Sequence, residues 1–349
     1  MNKDAAGCQL WFAWCIGAAD NMGAYQQQGM IAFRHLSFEM SLDARHHDIE
    51  TMARVGVNGH LTFTSGWEWG YWLIDWSIAR WSWEYRDSQS VRQSNSLSPL
   101  LDILPDPRLR PMWQEALRLQ NLYLKELDLM RFMAAATPFS ELPHPFDIQF
   151  QPTPEFHYSQ LLRSATPQEV AMKLGRPISD LEKYARSMGN LSQKMEMVIA
   201  DSYKAGTADA LMRQALTREL TRALAVTALR ASHRAMTLRA LSARVSERAG
   251  DYGNDKGKST AWLTNARLAR YKALDLVKLQ ESGYRYSLSL VARRRNGITA
   301  YPFGYLYPAS RLFFWEREEE QVKHGRFDPL FMNLWDVSRT LGLGSLLFR

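Results

Sequence analysis

The sequence predicts a mainly α-helical fold: a helical bundle preceded by a short α/β segment. Three observations predict it. Residues 112–136, 179–204, 208–248 and 259–281 return apolar side chains at helical spacing. Runs that read as strands are confined to the first 88 residues or so. A polar stretch at 88–111, carrying Pro99, Pro105, Pro107 and Pro111, separates the two regimes. The boundary falls near residue 95, giving an α/β segment at 1–95 and a helical bundle domain at 96–349.

Within the first segment, residues 9–16 are a compact apolar run ended by Gly17. Residues 30–40 alternate through Ile31 and Phe33, then slip at Arg34-His35 as a bulge would. Residues 43–54 have helical spacing, with Ile49, Met52 and Ala53 as the apolar face and Gly56 as the stop. Residues 60–64 form a third short strand, followed at once by a helix. Strands alternating with helices in this way imply a parallel sheet.

Beyond the connector, residues 112–136 read as one helix, because Trp113, Leu117, Leu124, Leu127 and Met130 fall near helical spacing. Residues 138–154 hold five prolines and read as an extended loop. Thr166-Pro167-Gln168-Glu169 opens a helix with an N-cap and a proline in the first turn. Helices at 179–204, 208–248 and 259–281 follow, separated by Gly206 and by a loop at 250–257. The alanine-rich 208–248 stretch carries leucines on more than one side, which predicts a central helix of the bundle. Residues 284–307 fit either a hairpin turning at Asn296-Gly297 or a helix ending there, and 309–324 is again helical.

Composition excludes several classes. No run approaches the length a membrane-spanning helix needs. Asp4 and Asp20 flank the apolar run at 10–19, and Gly17-Ala18-Ala19 is a poor cleavage site, which argues against a signal peptide. Cys8 and Cys15 are an odd number of residues apart, so on one strand they face opposite sides and cannot bridge. Free thiols suit a reducing, cytoplasmic setting. Two cysteines alone make no zinc site, and neither a metal nor an organic cofactor is implied.

The net charge of +7 would favour nucleic acid if it were concentrated. Instead, Arg213, Arg218, Arg222, Arg230, Arg234, Arg239, Arg244 and Arg248 scatter around one helix, and Arg293-Arg294-Arg295 flanks the turn at Asn296-Gly297. The spread argues against nucleic acid. Gly253 to Thr260 resembles a phosphate loop, but Tyr252 stands where glycine is required and a helix, not a strand, precedes it.

Six of the 12 tryptophans lie between Trp67 and Trp83. Trp69, Trp72, Trp76 and Trp83 share one helical face, which either packs against the helical domain or stays open. A flat indole is a surface on which the C–H groups of a sugar ring stack, and Trp67, Trp69 and Tyr71 are candidates for that role. Glu68 and Asp75 project from the same side of the helix, about 10 Å apart along its axis. Paired acids do general acid/base chemistry, but glycoside hydrolysis needs carboxyls roughly 5 Å apart for retention or about 6.5–9.5 Å for inversion. Ser65-Gly66-Trp67-Glu68 is also a capping box, so Glu68 has a structural reading as well. In parallel α/β folds reactive groups gather at the C-terminal strand ends. Here those ends deliver Asp20 and Asn21, Glu39, and the segment 65–68 to one predicted rim.

At residues 65–75 the layout resembles the end of a (β/α)-barrel glycoside hydrolase followed by a helical bundle. The likeness is architectural, covering the wiring of residues 9–85 and the helices after it, with no catalytic signature aligned. It implies a carbohydrate partner, Glu68 as a rim acid, and Asp75 and Glu39 as supporting carboxylates. A full barrel takes about 250 residues, so the resemblance also implies a missing N-terminal barrel portion and, with it, loss of activity alone. The other reading is a helical interaction module that docks a protein partner through its tryptophan face. The aromatics at 301–308 and Phe313, Phe314 and Trp315, followed by Glu316, Glu318, Glu319 and Glu320, either lock a terminal segment onto the bundle or face a ligand.

Overall fold

A computed structural model describes residues 42–56, 71–84, 95–133, 161, 165–202, 207–250, 257–281 and 312–324. Every regular element among them is a helix, so the protein is mainly α. The expected strands at 9–16, 30–40 and 60–64 and the loop at 138–154 lie outside the described residues.

Helix α1 spans Leu42–Arg54 and buries Leu42, Ile49 and Met52, one face at seven- and three-residue spacing. It stops where expected, with Gly56 at φ +81°. Helix α2, Tyr71–Glu84, packs on α1 and on α3, Ser98–Ile103. The region 88–111 is therefore not wholly a connector. Asn95 Oδ1 accepts from the backbone N–H of Leu97, and Pro99 in the first turn starts α3.

The expected single helix over 112–136 is three pieces. Helix α4 runs Arg110–Gln120, widens into a π-helical turn at Asn121–Glu126, breaks at Asp128 with φ +56°, and resumes as α5, Met130–Met133. Leu127 N–H donates to the carbonyl of Leu122, five residues back. Aspartate is among the few side chains that tolerate the left-handed region, which is where the helix breaks.

Helix α6 is a single span, Pro167–Ser202. Its capping box is complete: Thr166 N–H donates to Glu169 Oε2 at 2.7 Å, and Glu169 N–H donates to Thr166 Oγ1 at 3.2 Å. The separate helix expected from residue 179 merges into it, because Pro177 sits inside the helix without ending it. Proline removes the hydrogen bond to the carbonyl of Lys173, and Lys173 lies on the exposed side where water can replace it. Buried Val170, Leu174, Ile178, Leu181, Tyr184, Met188, Leu191, Met195 and Ile199 form one long seam.

Helix α7, Ala208–Arg248, follows after a short connection, and α8 is Lys258–Glu281. Thr207 caps α7, its Oγ1 accepting from Ala210 N–H at 3.2 Å. Glu247 near the end of α7 accepts the backbone N–H groups of Gly257 and Ser259, placing a carboxylate at the start of α8. Helix α7 packs on α5, α6, α8 and the last helix, α9, Phe313–His324. That is the central position its all-round apolar pattern predicts. Among its buried residues Ala223, Ala228, Ala231, Ala235 and Ala240 let neighbouring helices approach closely. Leu42, Leu73 and Trp81 belong to the same apolar cluster as the bundle residues.

Candidate functional site

The predicted site divides sharply. Asp20, Asn21, Glu39, Trp67, Glu68 and Trp69 lie outside the described residues, as does their expected convergence at one rim. Tyr71 is the first residue of α2, and Asp75 is half-buried one turn later.

Helix α2 has two faces. Leu73, Ser77 and Trp81, spaced four residues apart, are fully buried. Rotated away from them, Trp76 is 39% and Trp83 71% exposed, while Trp72 packs partly against the core. The tryptophan stripe therefore does not pack inward as a unit. Helical spacing sets Trp72, Trp76 and Trp83 near one side of α2, but the fully buried face is the one carrying Trp81. The Trp81 and His46 rings meet at a steep angle with centroids 5.1 Å apart, so His46 is a packing residue, whereas His47 is exposed. Two polar links fix α2 on α3. Trp76 Nε1–H donates to the Pro99 carbonyl at 3.0 Å, and Arg80 bridges Glu84 at 2.9 Å and Asp102 at 3.1 Å.

A second site was not foreseen. Helices α7, α8 and α9 enclose a charged cluster in the bundle core. Arg230, His233, Arg234 and Arg270 meet Glu318 and Glu319, all six nearly sealed from solvent. The Arg230 guanidinium forks onto Glu318, with Nη1 to Oε2 at 2.8 Å and Nη2 to Oε1 at 2.7 Å. Its Nε donates to the carbonyl of Met133, and Arg234 Nε donates to that of Phe132. The two arginines thus satisfy carbonyls at the C-terminal end of α5. Arg270 Nε donates to Glu319 Oε1 at 2.8 Å, with Arg267 3.5 Å from Oε2 at the rim. Trp315 roofs the cluster, its ring 5.0 Å from His233 and 5.3 Å from the Arg230 guanidinium carbon.

Arg230 Nη1 lies 3.0 Å from His233 Nδ1. A guanidinium can only donate, so Nδ1 accepts, and Nε2 carries the proton and donates to Glu319 Oε1 at 3.2 Å. Histidine 233 is therefore neutral. Burial lowers its pKa, the Glu319 hydrogen bond opposes that, and the Arg230 charge lowers it further. Burial pushes the Glu318 carboxyl up, but the charges of Arg230 and Arg234 and the Arg230 hydrogen bonds outweigh it and bring the pKa down to about 2. Glu319 is likewise lowered: burial raises it, but hydrogen bonds from His233 and Arg270 prevail.

Three other arginines of α7 go to separate partners: Arg213 to Asp209, Arg222 to Glu196, and Arg239 to Glu182. Their guanidinium groups diverge, as the scatter predicts. The buried cluster had a sequence signal, since Arg230 and Arg234 are four residues apart with His233 between them. Its partner, the acidic run after Trp315, read only as the polar sequel to an aromatic segment. Among the described residues no group of histidine, cysteine and carboxylate side chains is placed to hold a metal ion. None of the described helices is long and apolar enough to cross a membrane. Comparison with protein-family models, curated proteins and solved structures finds no match to this chain.

Proposed function

We propose that this chain is a helical interaction module that docks a protein partner through the outer tryptophan face of α2. The observation that carries the reading is the exposure of Trp83 and Trp76 on a helix whose opposite face is already buried. Large exposed aromatics are the side chains on which protein interfaces concentrate their binding energy. Helix α2 is held by the Trp76–Pro99 hydrogen bond and the Arg80 bridges, so docking orders little that is still mobile.

A second reading, carbohydrate binding with acid-mediated glycoside hydrolysis, draws on the same surface. Asp75 directly precedes Trp76 on α2, and Glu68, Glu39, Asp20, Asn21, Trp67, Trp69 and Tyr71 would supply the remainder of that site. One set of measurements separates the two. A photo-crosslinking amino acid at exposed position 79, one turn before Trp83, expressed in the native host, should form an adduct with one defined protein. The purified partner should then bind Trp83→Ala at least about tenfold more weakly, with the melting temperature of the variant unchanged. Retained affinity in that variant sinks the interaction reading. Saturable binding to a glycan array, or aryl-glycoside hydrolysis abolished by Glu68→Gln, would favour the carbohydrate reading instead.

A further inference from the structure

The hold of α9 on the bundle depends on an unusual balance of buried charge. Around His233 stand Arg230 and Arg234 from α7, Arg270 and the half-exposed Arg267 from α8, and Glu318 and Glu319 from α9. Glu316 of α9 lies 3.5 Å from Arg270 at the exposed margin. Helix α5 contributes the carbonyls of Phe132 and Met133. In the sealed part, three guanidinium groups already face two carboxylates. Neutral His233 is the one titratable group there that can add a further positive charge in the mildly acidic range.

We propose that His233 is an acid-sensitive latch, whose protonation loosens α9 from α7 and α8 while the rest of the bundle stays folded. The proton taken up from solvent occupies Nδ1, the lone pair that accepts the Arg230 hydrogen bond. That bond is lost, and two cations are left 3.0 Å apart in the core. Glu318 and Glu319 attract the imidazolium, but both are already shared among guanidinium groups, with Arg230 holding Glu318 through both oxygens. Loss of α9 would then uncover a cationic face formed by Arg230, Arg234 and Arg270.

The pKa of His233 is depressed in the docked state, so docking is favoured fully above the ordinary histidine value. The contribution is lost as pH falls below about 6.5 towards the depressed value.

Hydrogen exchange of the full chain, corrected for intrinsic rates and followed from about pH 7.5 to about pH 5, tests this. Amides of 312–324 should lose protection within that range while those of α6 keep theirs. His233→Gln provides an amide that can accept from Arg230 and donate to Glu319 but cannot be protonated. It should hold α9 closed at least about one pH unit lower. Protection of α9 that persists through the range in the native chain, opening of α9 and α6 together, or an unchanged midpoint in His233→Gln would each overturn the proposal. If the variant does not fold, the comparison of α9 with α6 in the native chain decides.

Discussion

Gly189 lies inside α6, facing Ala228 of α7. A methyl group built there would meet the Cβ of Ala228 at 3.8 Å, an ordinary van der Waals contact. The helix thus carries the backbone entropy cost of glycine at a place where alanine fits. Gly189→Ala should raise stability by about 0.5–1 kcal/mol, measured by urea denaturation. A loss of stability would mean that α6 and α7 approach more closely than this spacing. Gly56 and Gly257 differ, because they hold φ +81° and +84°, where a side chain is strained. Trp81 and Trp83 make the same point with large residues. Two positions apart, one is sealed in the core and the other is mostly exposed, because α2 turns about 200° between them.

At the scale of elements, some helix ends were legible from local chemistry. The Thr207 cap and the glycine after α7 bracket the helix at the expected residues, and the Thr166–Glu169 box opens α6. The π turn after α4 was not legible, because one extra residue per turn barely disturbs an apolar period read at 3.6. Nor could periodicity say which face of α2 looks inward, since it shows only which residues share a face. The charged cluster was the least legible part: Arg230 and Glu318 are 88 positions apart, and nothing local pairs them. Removing one member leaves the other charge buried and alone. Arg230→Met and Glu318→Leu should each cost about 3–5 kcal/mol, with the double variant costing clearly less than their sum. Additive costs in a denaturation cycle would show that the two do not act as a pair.

For the molecule as a whole, α7 is the shared wall. Because α5, α6, α8 and α9 all pack on it, its buried charges bear on the stability of the assembled bundle. In His233→Gln, where α9 stays docked as pH falls, the acid limb of the stability profile should carry their mark. Glu318 binds its proton only near pH 2 when folded but at an ordinary carboxylate value when unfolded. Its contribution is therefore complete above about pH 4.5 and lost as pH falls towards 2. While it is being lost, one extra proton bound by the unfolded chain makes stability fall by up to about 1.4 kcal/mol per pH unit. Adding Arg230→Met and Glu318→Leu to His233→Gln removes that carboxylate, so urea denaturation between about pH 4.5 and 2 should show a slope shallower by about one proton. An unchanged slope would place the acid sensitivity elsewhere, in surface pairs such as Glu115–Arg118 or Glu320–Lys323, which are open to solvent and screened by salt. Repeating the titration at high salt separates these sources, because buried Glu318 is insulated from ions that weaken exposed pairs.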